Sequence, residues 1–434
     1  MVDRPKSHDT GAKKAAAAGE SHLAALLDRY FGLKAQGTDI RTEFIAGATT
    51  FLTMVYIVFV NPAILGKAGM DPGAVFVATC LAAAASTFVM GLYANYPIAL
   101  APGMGLNAFF AFTVVLTYKY TWQQGLAAVF CSGVLFFLIS IFRIRQYVIE
   151  AIPQNLKLAT SAGVGLFLAI IALEESKVIV AHPVTLVTLG DLTNPVPVLM
   201  LFGFVVIAAL NFRRMVGATL IGILVVTLIG LPFGLAHFNG VMSMPPSLSP
   251  TLLQLDFSRM FEMTFLIVVF SILFVDVFDN AGTLIGVTHR TGLMKNGKLA
   301  RMKEALISDS FAAMQAGGRT GLTAAFVGVF FLLALFFAPL AGTIPAYASA
   351  AALFYVACVM ARGLAEVDWE DVTEYAPAVV TAITMPLTYS IATGIGLGFI
   401  TYALAKLISG KFSEASPAVL VLAVLFAVKF AVSG

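Results

Sequence analysis

The 434-residue chain reads as an all-α polytopic membrane protein, and three observations predict that class. Hydrophobic residues make up 59% of it and charged residues only 11%, where soluble domains carry roughly a quarter charged residues. Its mean hydropathy is +0.93. Apolar runs long enough to cross the bilayer, about 20 residues for ~30 Å of hydrocarbon, recur along the whole sequence. These runs do not alternate polar and apolar side chains as the strands of a membrane barrel do, which leaves helices to satisfy their own backbone in lipid.

Taken in order, residues 1–40 form a basic tail holding Arg4, Lys6, Lys13, Lys14, Arg29 and Lys34, which places it in the cytoplasm. Leu23, Leu26, Leu27, Tyr30 and Phe31 suit a short amphipathic helix on the membrane surface. No signal-peptide pattern precedes the first crossing, so that crossing anchors the protein. Crossings are expected over 44–63, 74–94, 97–116, 123–142, 156–173, 195–212, 216–236 and 263–288. After a break come 322–340, 345–361, 376–391 and 392–408, and 417–432 either crosses or lies along the interface. Alternation from a cytoplasmic N-terminus puts Arg143, Arg145 and Lys157, then Arg213 and Arg214, then Arg290 to Lys303 in inner loops, where the basic residues do cluster. Glu174, Glu175, Asp191 and Asp256 fall in the outer loops.

The halves echo each other. Ile152-Pro153 precedes a small-residue run, as Ile344-Pro345 does, and each run ends in acidic residues, Glu174-Glu175 and Glu366 to Asp371. An odd number of crossings separates them, so the repeat is inverted, as in many secondary transporters.

The composition also excludes functions. Twenty-six Lys and Arg against 23 Asp and Glu leave a net charge of +3 and no basic stripe for nucleic acid. Cys80, Cys131 and Cys358 lie far apart in apolar runs and read as buried packing residues. The five histidines fall in tails or loops. Phosphate-binding Gly-Lys-Ser/Thr loops, metal-ligand clusters and nucleophile elbows are all missing, so neither an enzyme nor an ATP-driven pump is expected, and no cofactor. A channel would need a continuous polar pore.

Two places put polar chemistry at membrane depth. Asp276, Asp279, Asn280 and Thr283 are spaced i, i+3, i+4 and i+7, which gathers them on one helix face. A carboxylate there marks a functional site by default, since its burial costs several kcal/mol; the alternative is a structural network to a neighbouring helix. In the third crossing, Pro97, Pro102, Gly103 and Gly105 interrupt a hydrophobic run, so this helix is broken, with a half-helix starting near Gly105. A break of that kind lines a cavity and offers free N–H groups to a ligand, or else is a kink made for packing. Phe109, Phe110 and Phe112 offer an aromatic face for a flat ligand.

At these motifs the chain resembles the adenine/guanine/hypoxanthine permease branch of the nucleobase–cation symporter-2 group. The matching stretches are Arg41 to Gly47 with Val60-Asn61-Pro62, Ala101 to Ala108, Asp276 to Val287, Gly318 to Ala324 and Met385 to Ile391. The resemblance implies an inverted 7+7 repeat divided into core and gate. The core would comprise 41–143 and 262–340, and the gate 144–240 and 344–434. It also implies proton-coupled uptake of a purine nucleobase across a bacterial-type inner (plasma) membrane. Asp276, Asp279, Asn280 and Thr283 from the eighth helix, with Gly105, Asn107, Ala108 and Phe109 from the third, would bind the base, and Asp276 and Asp279 would carry the proton. Whether two copies pair as a homodimer is left open.

One departure stands out. Family members carry a Gly-Thr-Ser/Thr-rich segment and a Glu-Ser pair before the Gly-Gly-Arg-Thr-Gly motif, whereas here Ser308 to Gly318 runs straight through. The stretch from Lys303 to Arg319 is too short to cross twice at about 17 residues per crossing, so the core is truncated near 311–317, with roughly 20 residues absent and about 12–13 crossings left. The glutamate that would face the base from helix ten has no counterpart. Either the chain is a permease impaired by the shortening, or it is a transport-deficient remnant or engineered deletion variant.

Overall fold

The computed structural model describes residues 22–141, 152–276, 294–295, 298–299 and 318–433. Helices follow the apolar runs. Helix α1 (His22–Phe31) is the short amphipathic element. The first crossing is two helices, α2 (Ile40–Met54), capped by the Asp39 side chain, and α3 (Ile57–Gly66). Next come α4 (Pro72–Ala94), α5 (Met104–Thr117), α6 (Trp122–Ile141), α7 (Gln154–Glu175), α8 (Pro195–Phe212) and α9 (Ala218–Gly230). The second half holds α10 (Met263–Asp276), α11 (Gly321–Ala334), α12 (Ala346–Ala361), α13 (Val372–Leu387), α14 (Ile391–Ile408) and α15 (Pro417–Ser433). Asn194 and Asp71 cap α8 and α4 immediately before a first-turn proline, where the missing N–H of proline costs nothing.

Two packed groups result. Helices α2 and α4 pack with α11, and α3 joins them through α4, while α7, α12, α13 and α14 form a second group that α8, α9 and α15 join. In the second group the repeat is visible directly, because Pro153 and Pro345 stand at the N-caps of α7 and α12. These two helices run antiparallel: Gly165 of α7 lies against Ala357 and Met360 near the end of α12, and Gly363 beyond that end lies over Leu158 near the start of α7.

Two polar networks tie helix ends together. In the first group, Glu43 is fully buried, and its carboxylate accepts from the Thr38 hydroxyl, from the N–H groups of Arg319, Thr320 and Thr323, and from the hydroxyls of Thr320 and Thr323. The Gly318 to Ala324 motif is thereby the start of α11, held by an acid from α2. Gly321 is required there, since a Cβ would lie 1.9 Å from the Gly91 carbonyl oxygen. Its N–H is taken by Asn95, which leaves α4 in a left-handed conformation. In the second group, Lys406, 1% exposed, sits 2.8 Å from both Glu374 and Glu414. Beside it Lys411 bonds Asp371 and holds that carboxyl well below the ordinary carboxylate range.

In the loop after α7, Ile179–His182 and Leu186–Leu189 pair as an antiparallel hairpin, in keeping with their Val, Ile and Thr content. Three sequence expectations need correction. Glu174 and Glu175 are not loop residues but the last turn of α7, and the exposed Lys67 pairs with the buried Glu175. Lys157 likewise lies in the first turn of α7 and is buried, not in a loop. Of the cysteines, Cys80 is buried and Cys131 half-buried, but Cys358 is exposed on α12, a position that lipid can cover.

Replacing Glu43 by Ala leaves several buried donors without an acceptor, each costing ~1–3 kcal/mol. Glu43→Ala is expected to lower the unfolding midpoint of the detergent-purified protein strongly and Glu43→Gln less, as one acceptor oxygen remains. Equal midpoints for parent and Glu43→Ala would contradict this role.

Candidate functional site

The third crossing is broken as its prolines and glycines require. Residues 97–103 are non-helical, Gly103 is the N-cap, and the helix begins at Met104. A non-helical segment at membrane depth must find partners for its backbone. Thr87 of α4 supplies both for Leu100, its hydroxyl accepting from the Leu100 N–H at 2.9 Å and donating to the Leu100 carbonyl at 3.1 Å. From Phe109 to Thr117 the helix widens into π turns, an arrangement that recurs at functional sites.

At the start of α5, Gly105 lies against α7, and a Cβ there would be 2.6 Å from Val164 Cγ1. Ala108 and Phe109 are fully buried. Asn107 donates to Asn61 Oδ1 at 2.6 Å, Asn61 donates to Thr79 Oγ1 at 2.7 Å, and Thr79 donates to the Val75 carbonyl. The chain of bonds ties the broken helix to α3 and α4, so Asn107 already has a structural partner. Phe110 packs on Gly125 of α6, which takes it out of the proposed aromatic face, while Phe112 stays half-buried.

Asp276 is half-buried on the last described turn of α10, a helix otherwise made of apolar residues, Ser271 and Thr264. Asp279, Asn280 and Thr283 lie outside the described residues, as does the 311–317 stretch. The structure therefore brings Gly105, Asn107, Ala108 and Phe109 together on one short segment and puts Asp276 on a separate helix. Among the described residues, no three His, Cys, Asp or Glu side chains gather as a metal site would need. A cleft of about 440 Å³ lies elsewhere, between α3, the start of α4 and Ala338–Ile344, with Lys67 on its wall.

Sequence reasoning missed Glu43 and Lys406. In the first crossing, Thr50 and Thr53 donate to carbonyls of their own helix.

A model of the permease family matches residues 41–318 and 312–397, two stretches that overlap at 312–318. The chain is 47% identical to the adenine permease AdeP of Escherichia coli (strain K12), covering 93% of this chain and 96% of that protein. The alignment spans 425 positions but uses about 404 of the 434 residues here, so about 21 positions of AdeP have no counterpart. It is 42% identical to the guanine/hypoxanthine permease PbuO of Bacillus subtilis (strain 168), covering 91% and 98%. In fold it is similar to the transmembrane domain of the cyanobacterial bicarbonate transporter BicA, with a TM-score of 0.59 at 16% identity, covering 82% of this chain and 96% of that one. That likeness carries the inverted 7+7 helical arrangement and nothing of substrate. With matched residues spanning most of its length and apolar helices throughout, the chain belongs to the permease family, in the branch of the adenine and guanine/hypoxanthine permeases, and is an integral membrane transporter.

Proposed function

We propose that this protein is built for proton-coupled uptake of purine bases (adenine, guanine or hypoxanthine) across a bacterial-type inner membrane, with its N-terminus in the cytoplasm. Residues 41–143 and 262–340 form the core and 144–240 and 344–434 the gate. The base lies between the start of α5 and α10. Gly105, Asn107, Ala108 and Phe109 line one side, and Asp276, Asp279, Asn280 and Thr283 the other. The observation that carries this reading is the broken third crossing, in which a helix starts at Met104 in the middle of an apolar run, with no side chain capping its first N–H groups. The names of the relatives support the purine, and Asp276 in an apolar helix supports the proton.

We also propose that about 20 residues of helices nine and ten are lost, and that this impairs transport. The two stretches of the family match meet at 312–318, and the alignment to AdeP leaves a shortfall of the same size. The second reading, a transport-deficient remnant, differs only in degree and is separated by the same assay. Cells expressing this chain should accumulate labelled adenine or hypoxanthine several-fold more slowly than cells expressing a version with the segment restored. Unlabelled purines, not uracil or a sugar, should compete. Equal accumulation by both versions refutes the impairment, and competition by the sugar refutes the purine.

In the restored version, Asp276→Asn should abolish accumulation driven by a proton gradient while sparing exchange of base for base. Equal loss of both would make Asp276 a structural residue. Gly105→Ala pushes a methyl into Val164, an overpacking that costs ~1–3 kcal/mol, and should depress uptake; Val164→Ala in the same chain should restore part of it. Full uptake by Gly105→Ala alone would contradict the close approach of α5 to α7.

A further inference from the structure

The two helix-end networks stay within their own groups. Glu43 joins α2 to α11, and Lys406 joins α14 to α13 and Glu414. At the opposite end of the helices the pattern changes. Lys67, the C-cap of α3, reaches Glu175, the last residue of α7, with Nζ and Oε1 2.5 Å apart. The Glu175 side chain is 6% exposed and that of Lys67 41%, so one partner is buried and the other is wet on the wall of the cleft. Lys67 also stands 5.9 Å over the Phe112 ring of α5. A second tie lies alongside: Thr113 of α5 donates to the Tyr389 carbonyl at 2.7 Å, between α13 and α14, and the Tyr389 hydroxyl donates to Glu174. Lys67, Phe112 and Thr113 belong to the core, and Glu174, Glu175 and Tyr389 to the gate.

We propose that Lys67 and Glu175 are the outer latch of this transporter, an ion pair between core and gate, backed by Thr113, Tyr389 and Glu174, that holds the outer entry shut in the conformation seen here. The inference rests on the division into core and gate proposed above. If the core moves against the gate to alternate access, the ends of α3 and α7 must part before a base enters from outside. A pair with one buried carboxylate suits that task. Its Coulomb energy is less screened than that of an exposed pair, yet the wet ammonium can return to water when the latch opens. Breaking the pair by removing either charge leaves the other without its partner and favours the open state.

The test reads conformation and needs no transport, so a chain that carries no purine still decides it. A reporter cysteine replaces Val164, on α7 where it faces Gly105 of α5. Intact cells are treated with a membrane-impermeant maleimide, and labelling is measured above that of the chain without the reporter. Lys67→Gln and Glu175→Gln should each raise the labelling rate about fivefold, the change that ~1 kcal/mol of lost coupling produces. The reversed pair, Lys67→Glu with Glu175→Lys, should bring it back toward the parent. Tyr389→Phe, which removes one hydroxyl, should give a smaller rise and decides the matter if the charge variants fail to reach the membrane. Unchanged labelling in the variants that do reach it, or a reversed pair as reactive as the single variants, overturns the latch. Failure of the purine assay with a positive labelling result would overturn the substrate and leave the latch standing.

Discussion

Six donors converge on the Glu43 carboxylate, and the first packed group depends on that convergence. A helix that begins at the edge of lipid has N–H groups without intrahelical acceptors, and in a bilayer water cannot supply them. Here the acceptor comes from a different helix. Since α2 caps α11, the two cannot separate without exposing those donors, and the close passage of Gly91 over Gly321 brings α4 into the same unit. Full burial of an anion is tolerated because every contact it makes is a donor.

The same constraint shapes the broken third crossing. Extended backbone before Met104 survives at depth because Thr87 serves both polar groups of Leu100, and because Asn107 is fixed through Asn61 to Thr79. The segment proposed to hold a base is thus rigid on the side facing α3 and α4. Its other side is tuned by van der Waals contact with α7 through Gly105. The segment proposed for recognition and the contact with α7 are therefore parts of one short stretch.

Most of the fold was legible in the sequence because hydropathy and helix punctuation are local. Asn194-Pro195 marks the start of α8 to the residue, and Pro102-Gly103 announces where α5 begins. The apolar runs bracket the helices within a few residues, and the motifs carried the family. What stayed hidden depends on partners far along the chain. Glu43 reads as an ordinary acid at the membrane edge until residues 319–323 arrive beside it, and Glu175 reads as an outer-loop acid until Lys67 does. Lys406, in the last turn of an otherwise apolar run, is one of the least exposed side chains. Charge placement reports which side a residue is on, not whether tertiary structure has enclosed it.

The hairpin of α13 and α14 has a consequence for how the protein is made. Lys406 is nearly inaccessible and is neutralised by Glu374, thirty-two positions earlier, and by Glu414, eight positions later. An isolated α14 would bring an uncompensated ammonium toward hydrocarbon during synthesis, whereas α13 already in place offers it a carboxylate. Entry of the two helices as a couple would let the first supply the counter-charge that the second needs.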